Sequence, residues 1–148
     1  MHLVRDRRSA LDDILSKHVL LPVIRAEYGM VLQAGKIYLI VENTTLTVED
    51  GLLKVKERDS LPINSSVNIL FNSLADDFRE KAIVIILSGG GDDGLKGAEK
   101  IEEMGGMVLV QDPFSAEVTG MPYSVIRGNH AAAILKPAAL ARLINNLV

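Results

Sequence analysis

Residues 82–111 read AIVIILSGGGDDGLKGAEKIEEMGGMVLVQ. The run from Ala82 to Leu87 is continuously apolar and rich in β-branched side chains. That is the pattern of a strand covered on both faces, since a half-solvated strand would alternate apolar with polar residues. It is too short for a helix. Ser88, three glycines, Asp92, Asp93 and Gly94 then make a tight turn. Apolar residues return with helical spacing at Leu95, Ala98, Ile101 and Met104, and Gly105-Gly106 ends that helix. Met107 to Val110 reads as a second buried strand. The stretch is therefore one βαβ unit whose glycine loop lies at the carboxyl end of its first strand, where open α/β sheets gather their ligands and reacting groups.

The rest of the composition frames that unit. The chain has 148 residues, 48% of them hydrophobic, which is enough for a single domain spanning 1–148 with a sizeable core. It has no cysteine, hence no thiolate chemistry or disulfide framework. Its opening lacks the pattern of a signal peptide, so the cytoplasm is the expected location. A net charge of −3 without a basic run, and only 4% aromatic residues, argue against nucleic acid as a partner. No apolar run reaches the roughly 18 residues needed to cross a bilayer, so no membrane insertion is expected.

Upstream, Leu11, Ile14 and Leu15 share a face of an amphipathic helix expected over Ser9 to His18, with Asp12 and Asp13 opposite. Leu20 to Arg25 carries Pro22 and reads as an edge strand or extended segment. Lys36 to Val41, Thr44 to Val48 and Leu52 to Lys56 are β-patterned, and Asp50-Gly51 suits a two-residue hairpin, so this middle part is expected to be antiparallel. Val67 to Phe78 returns to helical spacing. Downstream of Asp112-Pro113, Ser115 to Val118 suggests a turn, Pro122 can open a helix over Tyr123 to Arg127, Ala131 to Leu135 is a last strand, and Pro137 to Leu147 a closing helix.

The loop Gly89 to Gly94 fits the dinucleotide fingerprint G-x-G-x-x-G, with Asp112 near the place of a ribose-binding acid. Two carboxylates facing a pyrophosphate at a helix N-terminus argue against it, at about 1 kcal/mol or more per charge pair. A Walker loop fails because no Ser or Thr follows Lys96. A different reading makes one aspartate a member of a catalytic triad and the glycine amides oxyanion donors. The competing structural role for Asp92 or Asp93 is a helix N-cap. Ser88 reads as a structural hydroxyl. His2, His18 and His130 are the available bases, with His18 at a helix end and His130 in a loop. No His, Cys or carboxylate spacing suggests a metal site, and no cofactor is expected.

The run LSGGGDDGLKGAEKIEEMGGMVLVQDPFSAEVTGMPYSVI, residues 87–126, resembles the catalytic domain of the chemotaxis protein-glutamate methylesterases. That family shows a strand, L-[ST]-G-x-G-x-D-G, a helix, A-G-G, a strand, Q-[DN]-P-x-[ST]-A-x-x-x-G-M-P and a helix. Pro22-Val23, AEYGMVLQAGKIYLI, SSVNILFNSLAD and the opening His2-Leu3 extend the likeness upstream. The fold so implied is a three-layer α/β domain, mainly a parallel doubly wound sheet with an antiparallel β-hairpin. About three quarters of it is expected here, without the first strand and helix.

The resemblance implies a Ser-His-Asp hydrolase that removes γ-methyl esters from chemoreceptor glutamates and deamidates receptor glutamines. His2 falls on the general base, Asp93 on the aspartate that orients it, and the Gly90 amide on an oxyanion donor. The nucleophile segment precedes the histidine in the family, so none is expected in this chain, which then would not hydrolyse esters alone. A non-catalytic interaction module of the same fold is the alternative, and the nucleotide-binding βαβ module another. Departures from the family pattern are Asn68 and Asn72 in place of Asp and Arg, Val41-Glu42 where proline is usual, and Gly128 to Ala133. The implied partners are the methylated cytoplasmic region of a chemoreceptor and, in a longer protein, a receiver or methyltransferase domain. A sheet edge and apolar surface left bare by the absent segment would favour a homodimer, with the early helix and the central strand's neighbours at the contact.

Overall fold

The computed structural model describes residues 10–60 and 64–147. In chain order these form α1 (Leu11–Ser16), β1 (Val23–Arg25), β2 (Ile37–Leu39), β3 (Thr44–Glu49), β4 (Leu52–Glu57), α2 (Ser66–Phe78), β5 (Ile83–Ile86), α3 (Leu95–Glu103), β6 (Met107–Gln111), α4 (Gly120–Arg127), β7 (Ala133–Leu135) and α5 (Pro137–Leu147). Among the described residues β5, β6 and β7 form a parallel sheet in that order, β1 pairs in parallel with β2, and β3 with β4 antiparallel.

The apolar run starting at Ala82 becomes β5, with Val84 opposite Val108 and Ile86 opposite Val110. These four side chains point to one face, and there they pack with Ala98 and Ile101 of α3, Val67, Phe71 and Ala75 of α2, and Met121 and Val125 of α4. On the other face Leu109 is fully buried and α5 lies over β6, with Leu140 3% exposed. The parallel sheet thus has helices on both faces, the three-layer arrangement. Its cover is uneven, however. Ile83 and Leu87 are 40% and 53% exposed, so β5 is bare on the side away from α3.

Helix α2 joins the two halves of the molecule. Leu70, Leu74 and Phe78 reach both the main core and a second one built from Ala26, Leu46, Val48 and Leu53. The hairpin turns at Asp50-Gly51 with φ of 51° and 74°, the left-handed pair that an Asp-Gly turn favours. Asp77, near the end of α2, accepts hydrogen bonds from both turn amides, Asp50 at 2.8 Å and Gly51 at 3.0 Å.

Several expectations need correction. Among the described strands only β3 and β4 pair antiparallel, supplemented by an isolated antiparallel bridge between Val31 and Leu52, because β2 runs alongside β1 in parallel. Pro22 lies just before β1 and takes part through its carbonyl, which accepts the Ile37 amide at 2.9 Å. Helix α4 begins at Gly120 instead of after Pro122, since a proline in the first turn loses no intrahelical bond. The expected turn after Asp112 is a 3-10 helix over Pro113–Ser115, earlier than Ser115 to Val118. Helix α1 is short, and its orientation differs from the amphipathic reading. Ile14 is 54% exposed, whereas the Asp12 side chain is only 15% exposed and lies 3.9 Å from Arg25. Arg25 also pairs with the Glu42 carboxylate, and this charged group turns Asp12 inward. The Glu42 hydrogen bond is the main cause that holds the Arg25 pKa above its ordinary value, against desolvation.

Candidate active site

The glycine loop after β5 is fixed from two sides. On one side, the Ser88 hydroxyl accepts the Val118 amide at 3.0 Å and donates to the Val118 carbonyl at 3.2 Å. The Gly89 amide donates to the same carbonyl at 2.9 Å, and the Met121 amide returns a bond to the Gly89 carbonyl at 2.9 Å. Gly120 allows this contact, because a Cβ there would sit 2.8 Å from the Gly91 nitrogen. The Ser88 hydroxyl is thus committed to the backbone of the facing loop, in agreement with its structural reading.

On the other side stands Asp93, 6% exposed. Its oxygens accept the amides of Val67 at 3.0 Å and Asn68 at 2.9 Å, two of the orphan donors at the start of α2. Asn64 takes the Ser66 amide at 3.0 Å, so three successive first-turn amides of α2 have side-chain acceptors. Asn68 answers in kind: its Oδ1 accepts the amides of Gly94 and Gly97, both at 2.9 Å, at the start of α3. Asn68 of α2 thus caps α3, and Asp93, in the loop just ahead of α3, caps α2. Gly97 lets them approach closely, since a Cβ there would meet the Phe71 Cβ at 2.6 Å. The N-cap role foreseen for Asp92 or Asp93 on the following helix is corrected accordingly. Asp93 caps α2, and α3 has Gly94 at its N-cap position with φ 109°. Asp92 is exposed.

This geometry speaks against a dinucleotide. The α3 amides of Gly94, Leu95 and Gly97 already have acceptors within the protein. Asp112 is likewise engaged, because its carboxylate caps the Phe114 amide at 3.0 Å. By contrast, among the described residues the amides of Gly90, Gly91 and Asp92 donate no hydrogen bond. Gly90 is exposed. The loop therefore presents unpaired donors beside a buried carboxylate, an arrangement able to hold a developing negative charge.

His2 lies outside the described residues. His18 follows α1 and is exposed, with its amide on the Leu15 carbonyl at 2.9 Å. His130 is more than a loop residue, since its Nδ1 lies 3.4 Å from Glu102 Oε1 of α3. Among the described residues no three His, Cys, Asp or Glu side chains group as a metal site. No helix there is long and apolar enough to cross a membrane.

Gln111 is a connection that residue-by-residue reading passed over. At 7% exposed, its Oε1 accepts the Ser88 amide at 3.0 Å, and its Nε2 donates to the Ser115 carbonyl at 3.1 Å and hydroxyl at 3.2 Å. A glutamine closing a buried strand was the available signal, because a buried amide must find partners on both ends.

Comparison with known proteins places this geometry. The chain is 34% identical over 113 residues to an uncharacterised 104.1 kDa protein of Rhodobacter capsulatus, covering 76% of this chain and 12% of that protein. It is 32% identical over 129 residues to protein-glutamate methylesterase/protein-glutamine glutaminase 3 of Hahella chejuensis, covering 86% and 37%. The chain thus spans well under half of either relative. The crystal structure of the Thermotoga maritima CheB methylesterase catalytic domain superposes with a TM-score of 0.87 at 29% identity, over 99% of this chain and 80% of that one. Residues 1–144 match the CheB methylesterase family, and with the paired loops and the buried Asp93 in the corresponding fold, the chain belongs to that family.

Proposed function

We propose that this chain carries the acid, base and oxyanion portion of a protein-glutamate methylesterase and glutaminase acting on the methylated cytoplasmic region of a chemoreceptor. Asp93 carries the reading: a buried carboxylate in the loop that follows the carboxyl end of β5, held by two amides and adjoining an amide-rich loop. In this scheme Asp93 orients the His2 imidazole, His2 takes the proton of a serine nucleophile, and the Gly90 amide receives the oxyanion of the tetrahedral intermediate. The scheme leaves the serine to a segment ahead of His2. Ser88 in the loop and Ser66 and Ser73 in α2 spend their hydroxyls on bonds to Val118, Asn64 and Leu70. The cytoplasm is the corresponding location, and a receiver or methyltransferase domain fits a longer protein.

The committed Ser88 hydroxyl also favours the second reading, a binding module of the same fold that holds methylated receptor without turnover. Methanol release from a methylated receptor fragment separates the two. The chain alone is expected to match a protein-free control, because loss of a triad serine costs about 10⁶ in turnover. A fusion that places a strand and glycine-rich serine loop before His2 should release methanol, and Asp93→Ala should abolish the release. A folded, inactive fusion would overturn the hydrolase reading.

A further inference from the structure

Phe114 is 93% exposed, while Leu87 and Val118 beside the glycine loop are 53% and 50% exposed. An exposed phenylalanine is unremarkable on a loose loop, but the backbone under this one is held firmly. Its amide is capped by Asp112 at 3.0 Å, the Ser115 hydroxyl donates to the Asp112 carbonyl at 2.7 Å, and Gln111 ties Ser115 to the Ser88 amide. The backbone that carries the aromatic ring and the loop that carries the unpaired Gly90 amide therefore belong to one hydrogen-bonded frame. The apolar surface also reaches the loop, for the Val118 Cγ1 would lie 3.7 Å from a Cβ on Gly90. The two segments, 88–94 and 111–119, carry Asp92, Asp93, Asp112 and Glu117 and no lysine or arginine. Such a lip repels a free glutamate carboxylate and tolerates its neutral ester.

We propose that Phe114 is a specificity-determining residue that receives an apolar side chain flanking the esterified glutamate of a polypeptide substrate. The proposal rests on the esterase reading above and adds which substrate sequences the site selects. Phe114 fills the variable position of the Q-[DN]-P-x-[ST]-A motif, where selectivity can differ while the frame around it stays the same.

The test uses the chain as it is. Peptides with one central glutamate γ-methyl ester in an alanine-glutamine background carry a single leucine, moved through the four positions on either side. Their affinities are measured by fluorescence anisotropy against the leucine-free control and against the free-acid form. One leucine register should bind about tenfold tighter than the control, about 1.4 kcal/mol. Phe114→Ala should remove that gain, and Phe114→Leu should keep most of it. Because the side chain is fully exposed, neither variant should unfold the domain. A leucine gain unchanged in Phe114→Ala, or no register with a gain, overturns the assignment. Should the chain prefer ester over acid yet show no leucine gain, Phe114 alone is misassigned. Should it show no ester preference, the esterase reading falls and this proposal with it.

Discussion

Asp93 and Asn68 exchange caps across the start of two helices, and that exchange has a measurable energetic signature. Asp93→Ala leaves the Val67 and Asn68 amides without their acceptors in a buried place, at a cost of about 1–3 kcal/mol in urea unfolding. Asn68→Ala should cost about 1–2 kcal/mol for the same reason at Gly94 and Gly97. Because Asp93 fixes the helix that carries Asn68, and Asn68 fixes the helix that begins just after Asp93, the double variant should fall short of the sum by at least about 0.5 kcal/mol. Strict additivity would show that the two caps act independently. Gly97→Ala makes the complementary point by overpacking against Phe71, for about 1–3 kcal/mol. At this scale the sequence was half legible. The pattern GGGDDG singled out Asp93, but a cap contributed to a helix 26 residues earlier has no local signal, so it was assigned to the wrong helix. The importance of Asn68 was visible only as a departure from the family pattern.

Local chemistry decided how well each element could be read. The Asp50-Gly51 turn specifies its own left-handed backbone, so the β3–β4 hairpin was legible without any tertiary knowledge. The β1–β2 pairing was not, because two short strands separated by a turn-rich connection carry no local mark of direction, and a parallel register is decided by what they pack against. Helix α1 failed for a related reason: the Arg25 and Glu42 charges outrank its apolar spacing. Asp77→Ala should free the hairpin tip from α2, raising hydrogen exchange at Asp50 and Gly51 with a loss of about 1 kcal/mol or less, since the site is partly exposed. The ion pair on Arg25 has its own pH signature. With the folded pKa raised, the guanidinium contribution is fully present below its unfolded value and is lost only as pH rises through the folded one. Titration of Arg25 therefore gives no change in stability between about pH 5 and 9. A difference between wild type and Arg25→Met that slopes within that range would therefore not arise from titration of the guanidinium.

For the molecule as a whole, the uneven cover of the parallel sheet is the feature with the widest reach. Ile83 and Leu87 leave apolar surface beside β5, whose second edge has no neighbour among the described residues, and the strand from Ala82 to Leu87 bears neither charge nor proline to blunt it. We therefore expect self-association, most economically a two-fold dimer, seen as a species of at least twice the chain mass in sedimentation at micromolar concentration. Ile83→Lys should shift it toward monomer, and a monodisperse wild-type monomer would refute the expectation. The layered α/β architecture itself was legible from one βαβ unit, because a buried strand, a glycine loop and an amphipathic helix admit few arrangements.

The bonds between Ser88 and Val118 span 30 residues, and those of Gly89 extend to Met121. During synthesis from the N-terminus, β5 and α3 emerge with the loop between them still unclamped. The frame that holds the Gly90 amide closes only after Met121 has left the ribosome, at about 5–20 residues per second a delay of seconds. A chain stalled before that point would possess β5 and the Asp93 cap on α2, yet its glycine loop would remain open to proteases, which makes the site later to mature than the strand and helix that flank it.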